Sequence, residues 1–313
     1  MVRKPGSERK NARGATADSE KNKRSNHTAS TIRPRGEISP PGAKRPIRPF
    51  PVVGIGASAG GLEAFSQLLK FLPEEINASL VLVQHLDPTY KSLLTELLSK
   101  ATKIPVVEVT DGVRVLPGHV YVIPPNTNMT ILNGVLYLTR RVEAAHKQSP
   151  IDIFLKSLAE DKKMAAIGVI LSGTSVDGIE GLRAIKQEGG VTFAQDETTA
   201  KYYDLPRAAI HAGVADLVLS PPDIAKELVR LSQYPYVPYF VDEQRTEQFL
   251  PHSHLGKIFV LLKERTGADF SNYKHSTIRR RILRRMMVLR IAKLEDYVDY
   301  IRKNPSEPEK LFQ

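Results

Sequence analysis

The chain has 313 residues, of which 41% are apolar; it contains no cysteine and carries a net charge of +11. That length suits one large or two modest domains, and the missing cysteines exclude disulfides, thiolate metal sites and a cysteine nucleophile, which fits a reducing cytosol. No apolar run reaches the roughly 18 residues of a membrane span, and the basic, polar N-terminus lacks the apolar stretch of a secretory signal.

Residues 1–48 are rich in Ser, Pro, Gly, Asn, Lys and Arg, with almost nothing apolar before Ile47. Such a segment buries too little surface to offset its ordering entropy and reads as a disordered basic tail. From Pro51 the pattern changes. Val52–Ile55 is a short apolar strand, followed by glycines and a helix with Leu62, Phe65, Leu68, Leu69 and Leu72 on one face. Leu80–Val83 is a second buried strand, leading to Gln84, His85 and a loop. Leu93, Leu94, Leu97 and Leu98 form the face of another helix, and His119–Ile123 is a strand. Met129–Leu132 and Val135–Leu138 flank Asn133-Gly134, a strong hairpin signal. A helix begins at Ile153–Leu158. Ala166–Leu171 is a third buried strand, followed by a helix over Gly178–Gln187 and a strand over Val191–Ala194. Leu217–Leu219 precedes the helix Ile224–Leu231. Alternating apolar strands and amphipathic helices predict an α/β fold with a doubly wound, mostly parallel sheet and one inserted β-hairpin, over 49–233. Residues 234–247 read as a Pro/Tyr-rich linker. The remainder, 248–313, is a small all-α domain with helices over Phe249–Glu264, Ile278–Leu289 and Leu294–Lys303.

The charge is unevenly spread. The first 50 residues hold 13 Lys/Arg against 4 Asp/Glu, and residues 274–290 hold 7 against none, so the rest of the chain is mildly acidic. A mildly acidic body without a nucleic-acid motif argues against nucleic-acid binding.

The stretch PVVGIGASAGGLEAF, from Pro51 to Phe65, fits two patterns. Gly54-Ile55-Gly56-Ala57-Ser58-Ala59 fits the dinucleotide fingerprint G-x-G-x-x-G/A. Gly56-Ala57-Ser58-Ala59-Gly60 fits the nucleophile turn G-x-S-x-G. The dinucleotide reading requires an acidic residue at the end of the second strand, and that strand ends in Val83-Gln84-His85. The hydrolase reading finds what it needs at the carboxyl ends of three strands: Ser58 after the first, His85 after the second, Asp177 after the third. A serine attacks, a histidine takes its proton and an aspartate holds the imidazolium. Each residue also has a plain structural role open to it; Asp177 before Gly178 is a good helix N-cap. The order Ser…His…Asp departs from the α/β-hydrolase order, which would use Ser58, Asp177 or Asp196, and His211. Gly56, Gly60 and Gly61 would let the backbone turn sharply and lift Ser58 to the sheet edge.

The stretches VVGIGASAGGLEAF, VLVQHLDP, SPIDIFLKSLAE, GVILSGTSVDGIEGLRAIKQEGG and FAQDETTAKYYDLPRAAI, in this order, resemble the catalytic domain of CheB, the chemotaxis protein-glutamate methylesterase family. The resemblance implies a catalytic triad of Ser58 (nucleophile), His85 (base) and Asp177 (orienting carboxylate). It implies a γ-glutamyl methyl ester substrate on a cytoplasmic helix of a methyl-accepting chemoreceptor, with glutamine deamidation in many members. It also implies phosphorelay or histidine-kinase partners, a cytoplasmic location, no cofactor and no metal. Where the family usually has Gly-Met-Gly-x-Asp-Gly, this chain has Gly173-Thr174-Ser175-Val176-Asp177-Gly178. The oxyanion-hole N–H of the family then falls on Thr174, with Ala59 N–H as the natural second donor. Family enzymes usually carry an N-terminal receiver domain, and residues 1–50 do not read as one. The rival reading is a non-catalytic module that docks on a receptor or regulator.

FVLLKERTGADFSNYKHSTIRRRILRRMMVLRIAKLEDYVDYI resembles the N-terminal helical domain of CheR, the receptor methyltransferase family. The resemblance implies that Arg279, Arg280, Arg281, Arg284 and Arg285 contact an acidic receptor surface, as part of a methyltransferase whose methyl-donor domain is not present in this sequence. Positions 281, 284, 285 and 288 share one helix face.

Overall fold

The computed structural model describes residues 49–84, 93–141, 149–233, 250, 252–267 and 274–312. The tail expected at 1–48, the linker expected at 234–247 and His85 lie outside the described residues. The first half of the fold comprises β1 (Val52–Ala57), α1 (Gly61–Lys70), β2 (Ser79–Gln84), α2 (Leu94–Ser99), β3 (Val106–Glu108), β4 (Val113–Arg114) and β5 (His119–Val122). Then follow β6 (Thr127–Leu132), β7 (Val135–Arg140), α3 (Pro150–Lys162), β8 (Ala166–Ile170), α4 (Ile179–Gln187), β9 (Val191–Gln195), α5 (Asp204–His211), β10 (Leu217–Leu219) and α6 (Pro221–Ser232). Four helices come last: α7 (His252–Thr266), α8 (His275–Val288), α9 (Leu294–Lys303) and α10 (Glu307–Phe312). The described residues fall in one compact unit.

Seven strands form a sheet in the order β10-β9-β8-β1-β2-β5-β3, and each pairing in it is parallel. The expected doubly wound sheet is therefore present. Its inner strands read as unbroken apolar runs because helices cover both faces. On one face, Val53, Ile55, Leu80, Leu82, Val169 and Phe193 pack against α1, α6 and the C-terminal helices. On the other, Val52, Val81, Val83 and Ile170 pack against α3, α4 and α5. The hairpin β6–β7 turns at Asn133 and Gly134, both at positive φ as a two-residue turn demands. With β4 it forms a separate three-stranded sheet, a strand more than the sequence pattern indicated. Ser220 caps α6 by accepting the Asp223 N–H at 3.3 Å, ahead of two prolines that suit a first turn.

Two expectations change. Leu94 and Leu98 of α2 are buried, whereas Leu93 and Leu97 are exposed, because this six-residue helix lays only one narrow stripe on the core. Gly56 does not shape the turn before α1; it lies inside β1 beside Gly54. A Cβ on Gly54 would come within 2.5 Å of Leu155, and one on Gly56 within 2.4 Å of Ile151. Both glycines serve the close crossing of α3 over β1. No helix among the described residues is long and apolar enough to cross a membrane.

Candidate active site

The chain runs outward from β1 through β2 to the edge strand β3, steps back to β5, then returns through α3 to β8 on the other side of β1. The strand order thus reverses between β1 and β8, where an open parallel sheet leaves a crevice at its carboxyl ends. Ser58 leaves β1 there, and Ser172 and Asp177 follow β8.

Ser58 is held by its backbone. Its N–H donates to Ser172 O at 3.0 Å, and its carbonyl accepts the Gly61 N–H at 3.0 Å and Gln84 Nε2 at 3.3 Å. Gly60 follows with φ 74°, the left-handed conformation a glycine adopts without strain, and it caps α1. A Cβ on Gly173 would lie 2.9 Å from Ser58 Cβ, so the β8 loop presses directly on the serine. The Ser58 side chain is half-buried, and its hydroxyl makes no hydrogen bond among the described residues.

Asp177 is 6% exposed, and its two carboxylate oxygens accept the N–H groups of Ile151 (2.9 Å) and Asp152 (3.0 Å). Sequence spacing suggested an N-cap for the helix that follows it. Instead Asp177 caps α3, 25 residues earlier, where the unpaired N–H groups and the helix dipole favour a negative charge. Gly178, at φ 106°, caps α4.

Two charged groups that the sequence did not single out flank Asp177. Arg141 is pushed below its ordinary pKa by burial, and the Asp177 charge opposes that shift. Asp152 is pushed above the ordinary carboxylate range by burial, with the Asp177 charge adding to the effect and a Gly181 N–H at 2.7 Å opposing it. Only the three-dimensional path of the chain brings these residues to Asp177; no local motif marks them.

Ala59 N–H donates to no carbonyl among the described residues. Thr174 is exposed, as are Val176 in the same loop and Tyr202, whose backbone bonds to Ser172 and Gly173. The alternative histidine, His211, is exposed at the last residue of α5, while the first turn of that helix bonds to Gly173. Seven residues of helix rise carry His211 about 10 Å from that end. Asp196 is engaged locally, accepting from Thr198 and Thr199. No cluster of three or more His, Asp or Glu side chains among the described residues could hold a metal ion.

The five arginines of α8 do not form an outward stripe. Arg279 donates to Leu250 O (2.9 Å), Arg280 to Glu188 (2.8 Å) and Arg281 to Leu311 O (3.3 Å). Arg284 is paired with Asp216, and Arg285 grips Glu307 through two bonds of 2.7 Å. Three of the five therefore have acidic partners within this chain, and two donate to backbone carbonyls.

Residues 53–228 match the family model of the CheB methylesterase, and residues 253–313 match that of the CheR methyltransferase all-alpha domain. A protein-glutamate methylesterase/protein-glutamine glutaminase of Burkholderia pseudomallei is 38% identical over 184 residues, covering 58% of this chain and 54% of the relative. One of Pseudomonas aeruginosa is 36% identical over 181 residues, with the same coverage. The chain thus spans about half the length of the curated relatives it matches. The crystal structure of the Thermotoga maritima CheB methylesterase catalytic domain is 31% identical; the match covers 98% of that structure and 58% of this chain, with a TM-score of 0.54. The chain belongs to the CheB methylesterase family and carries, after that domain, a CheR-type all-alpha segment.

Proposed function

We propose that the chain is a cytoplasmic serine hydrolase that removes methyl groups from glutamate γ-methyl esters on the cytoplasmic helices of chemoreceptors, within chemosensory signalling. Deamidation of glutamine side chains at the same site is part of the proposal. The Ser58 oxygen attacks the γ-carbonyl carbon while His85 takes the hydroxyl proton. His85 then returns that proton to the methoxy group, and methanol leaves. Water, activated by His85, hydrolyses the glutamyl-enzyme to glutamate and free serine. Asp177 holds the imidazole and stabilises its charged form, and the N–H groups of Ala59 and Thr174 receive the oxyanion. The domain limits follow the sequence reading: tail 1–48, esterase 49–233, linker 234–247 and helical segment 248–313.

The observation that carries this reading is the juxtaposition at the β1/β8 crevice. A half-buried serine with a free hydroxyl among the described residues stands beside the loop that bears a buried aspartate on a helix N-terminus. The test is methanol release from a methylated receptor fragment by the full chain and by Ser58→Ala. Loss of about a millionfold in kcat is expected for the variant. An inactive wild type, or an Ala variant with full turnover, would refute the assignment.

A further inference from the structure

We propose that Ser172 and Gln84 are positioning residues that set the two peptide units after the nucleophile, and thereby aim the Ala59 N–H at the oxyanion. This deepens the esterase reading above and rests on it. Ser172 is wholly buried, and each of its polar groups is committed to the nucleophile turn or to its neighbours. Its carbonyl accepts the Ser58 N–H at 3.0 Å. Its hydroxyl donates to Ala59 O at 2.9 Å, with Tyr202 O at 3.3 Å as a second acceptor, and accepts the Tyr202 N–H at 3.0 Å. Its own N–H is held by Gln195 Oε1 at 2.8 Å, and Gln195 is tethered in turn to Thr199. A Cβ on Gly60 would collide with the Ser172 hydroxyl at 2.6 Å, so this residue takes the space that a side chain in the turn would need.

Gln84 works on the preceding peptide unit. Its Nε2 donates to Ser58 O, and the amide lies over Gly61. A peptide unit is planar, so fixing the Ser58 carbonyl fixes the Ala59 N–H on its opposite side. Fixing the Ala59 carbonyl likewise fixes Gly60. The two side chains thus hold a flexible, glycine-rich turn in one orientation before substrate arrives. Preorganisation of this kind stabilises charge that develops only in the transition state. The Gln84 Oε1 is buried without a partner among the described residues, so this amide is kept in place at the expense of one hydrogen bond.

The experiment measures kcat and KM on a γ-glutamyl methyl ester peptide, together with the affinity for a boronic acid that forms a tetrahedral adduct with serine. The proteins are the full-length wild type, Ser58→Ala, Ser172→Ala, Ser172→Cys and Gln84→Met, with thermal melting of each. Ser172→Ala and Gln84→Met are expected to lower kcat about tenfold, the effect of one neutral hydrogen bond, and to weaken the boronic acid by the same factor. KM should stay within about twofold, because ground-state binding does not use the oxyanion donor. Ser172→Cys, which keeps the volume and a weak donor, should recover part of the loss. Unchanged kcat in Ser172→Ala, with Ser58→Ala inactive, overturns the positioning role and leaves the nucleophile standing. A fall in kcat without a matching fall in boronic-acid affinity also overturns it. If Ser172→Ala melts early, Ser172→Cys and Gln84→Met decide by the same criteria. Full activity in Ser58→Ala removes the esterase reading, and this proposal falls with it.

Discussion

Arg284 and Asp216 form an ion pair that joins α8 to the amino end of β10, with both side chains almost wholly removed from solvent. Asp216 also accepts the N–H and the hydroxyl of Thr192, each at 3.0 Å, so the carboxylate is satisfied on several sides. Nearby, Arg280 reaches Glu188 and Arg290 reaches Glu227, while Arg230 donates to Met287 O. Arg284→Leu leaves Asp216 buried without its cation. Breaking a buried pair by removing one partner costs about 3–5 kcal/mol. Urea denaturation should register a loss of that order, while kcat/KM for ester hydrolysis stays at the wild-type value, since the pair lies at the strand ends opposite Ser58.

Asp177 holds α3 as well as its proposed catalytic place, and two variants separate the tasks. Asp177→Ala removes the acceptors of two helix N–H groups and should lower stability by about 1–2 kcal/mol, besides abolishing turnover. Asp177→Asn keeps one carbonyl acceptor but loses the charge. It should lose roughly 10³–10⁴-fold in kcat with a smaller stability change. Equal stability loss in both, with turnover retained in Asn, would reduce Asp177 to a cap.

Gly56→Ala tests the close crossing of α3 over β1. The added methyl group would meet Ile151 at 2.4 Å and Ile170 at 2.8 Å. Overpacking of this kind costs about 1–3 kcal/mol. Ile151 also supplies one of the two N–H groups bound by Asp177, so turnover should fall along with melting temperature. A silent substitution would show that α3 shifts freely.

Tyr297 provides a pH signature. Burial pushes its phenol well above the ordinary value, and the neighbouring Glu307 charge, which accepts the phenolic hydrogen at 3.0 Å, adds to the shift. The folded pKa lies above the unfolded value of 10.0. The stabilising contribution is therefore complete below pH 10.0 and is lost as pH rises above it, at up to about 1.4 kcal/mol per pH unit. Tyr297→Phe should flatten the decline of stability above pH 10.0 relative to wild type. Parallel profiles for the two proteins would contradict it.

The layers of the sheet were legible because strands covered on both faces leave unbroken apolar runs, as β1, β2, β8 and β9 do. β3 and β4 escaped notice because they are three and two residues long and mostly exposed, without such a run. α5 escaped because Pro206 interrupts its pattern, although a first-turn proline is tolerated. The positions of Ser58 and Asp177 beyond the carboxyl ends of β1 and β8 were readable from the strand pattern. Ser172 and Gln84 were not, since their value lies in hydrogen bonds to a turn more than 20 residues away in sequence. The arginine helix shows the same limit: its spacing revealed a charged face, but its partners Asp216 and Glu188 lie 68 and 92 residues upstream.

The placement of those arginines divides labour along the molecule. Asp216 and Glu188 both precede their strands, whereas Ser58 and Asp177 follow theirs. With five- and six-residue strands rising about 3.3 Å per residue, roughly 17–20 Å of sheet lies between the two poles. A rod-shaped ligand lying across the crevice would not touch the arginine pole. A substitution confined to the exposed surface of the arginine pole should then leave the chemistry at the other intact, as with a tool whose handle can be recut without regrinding the blade.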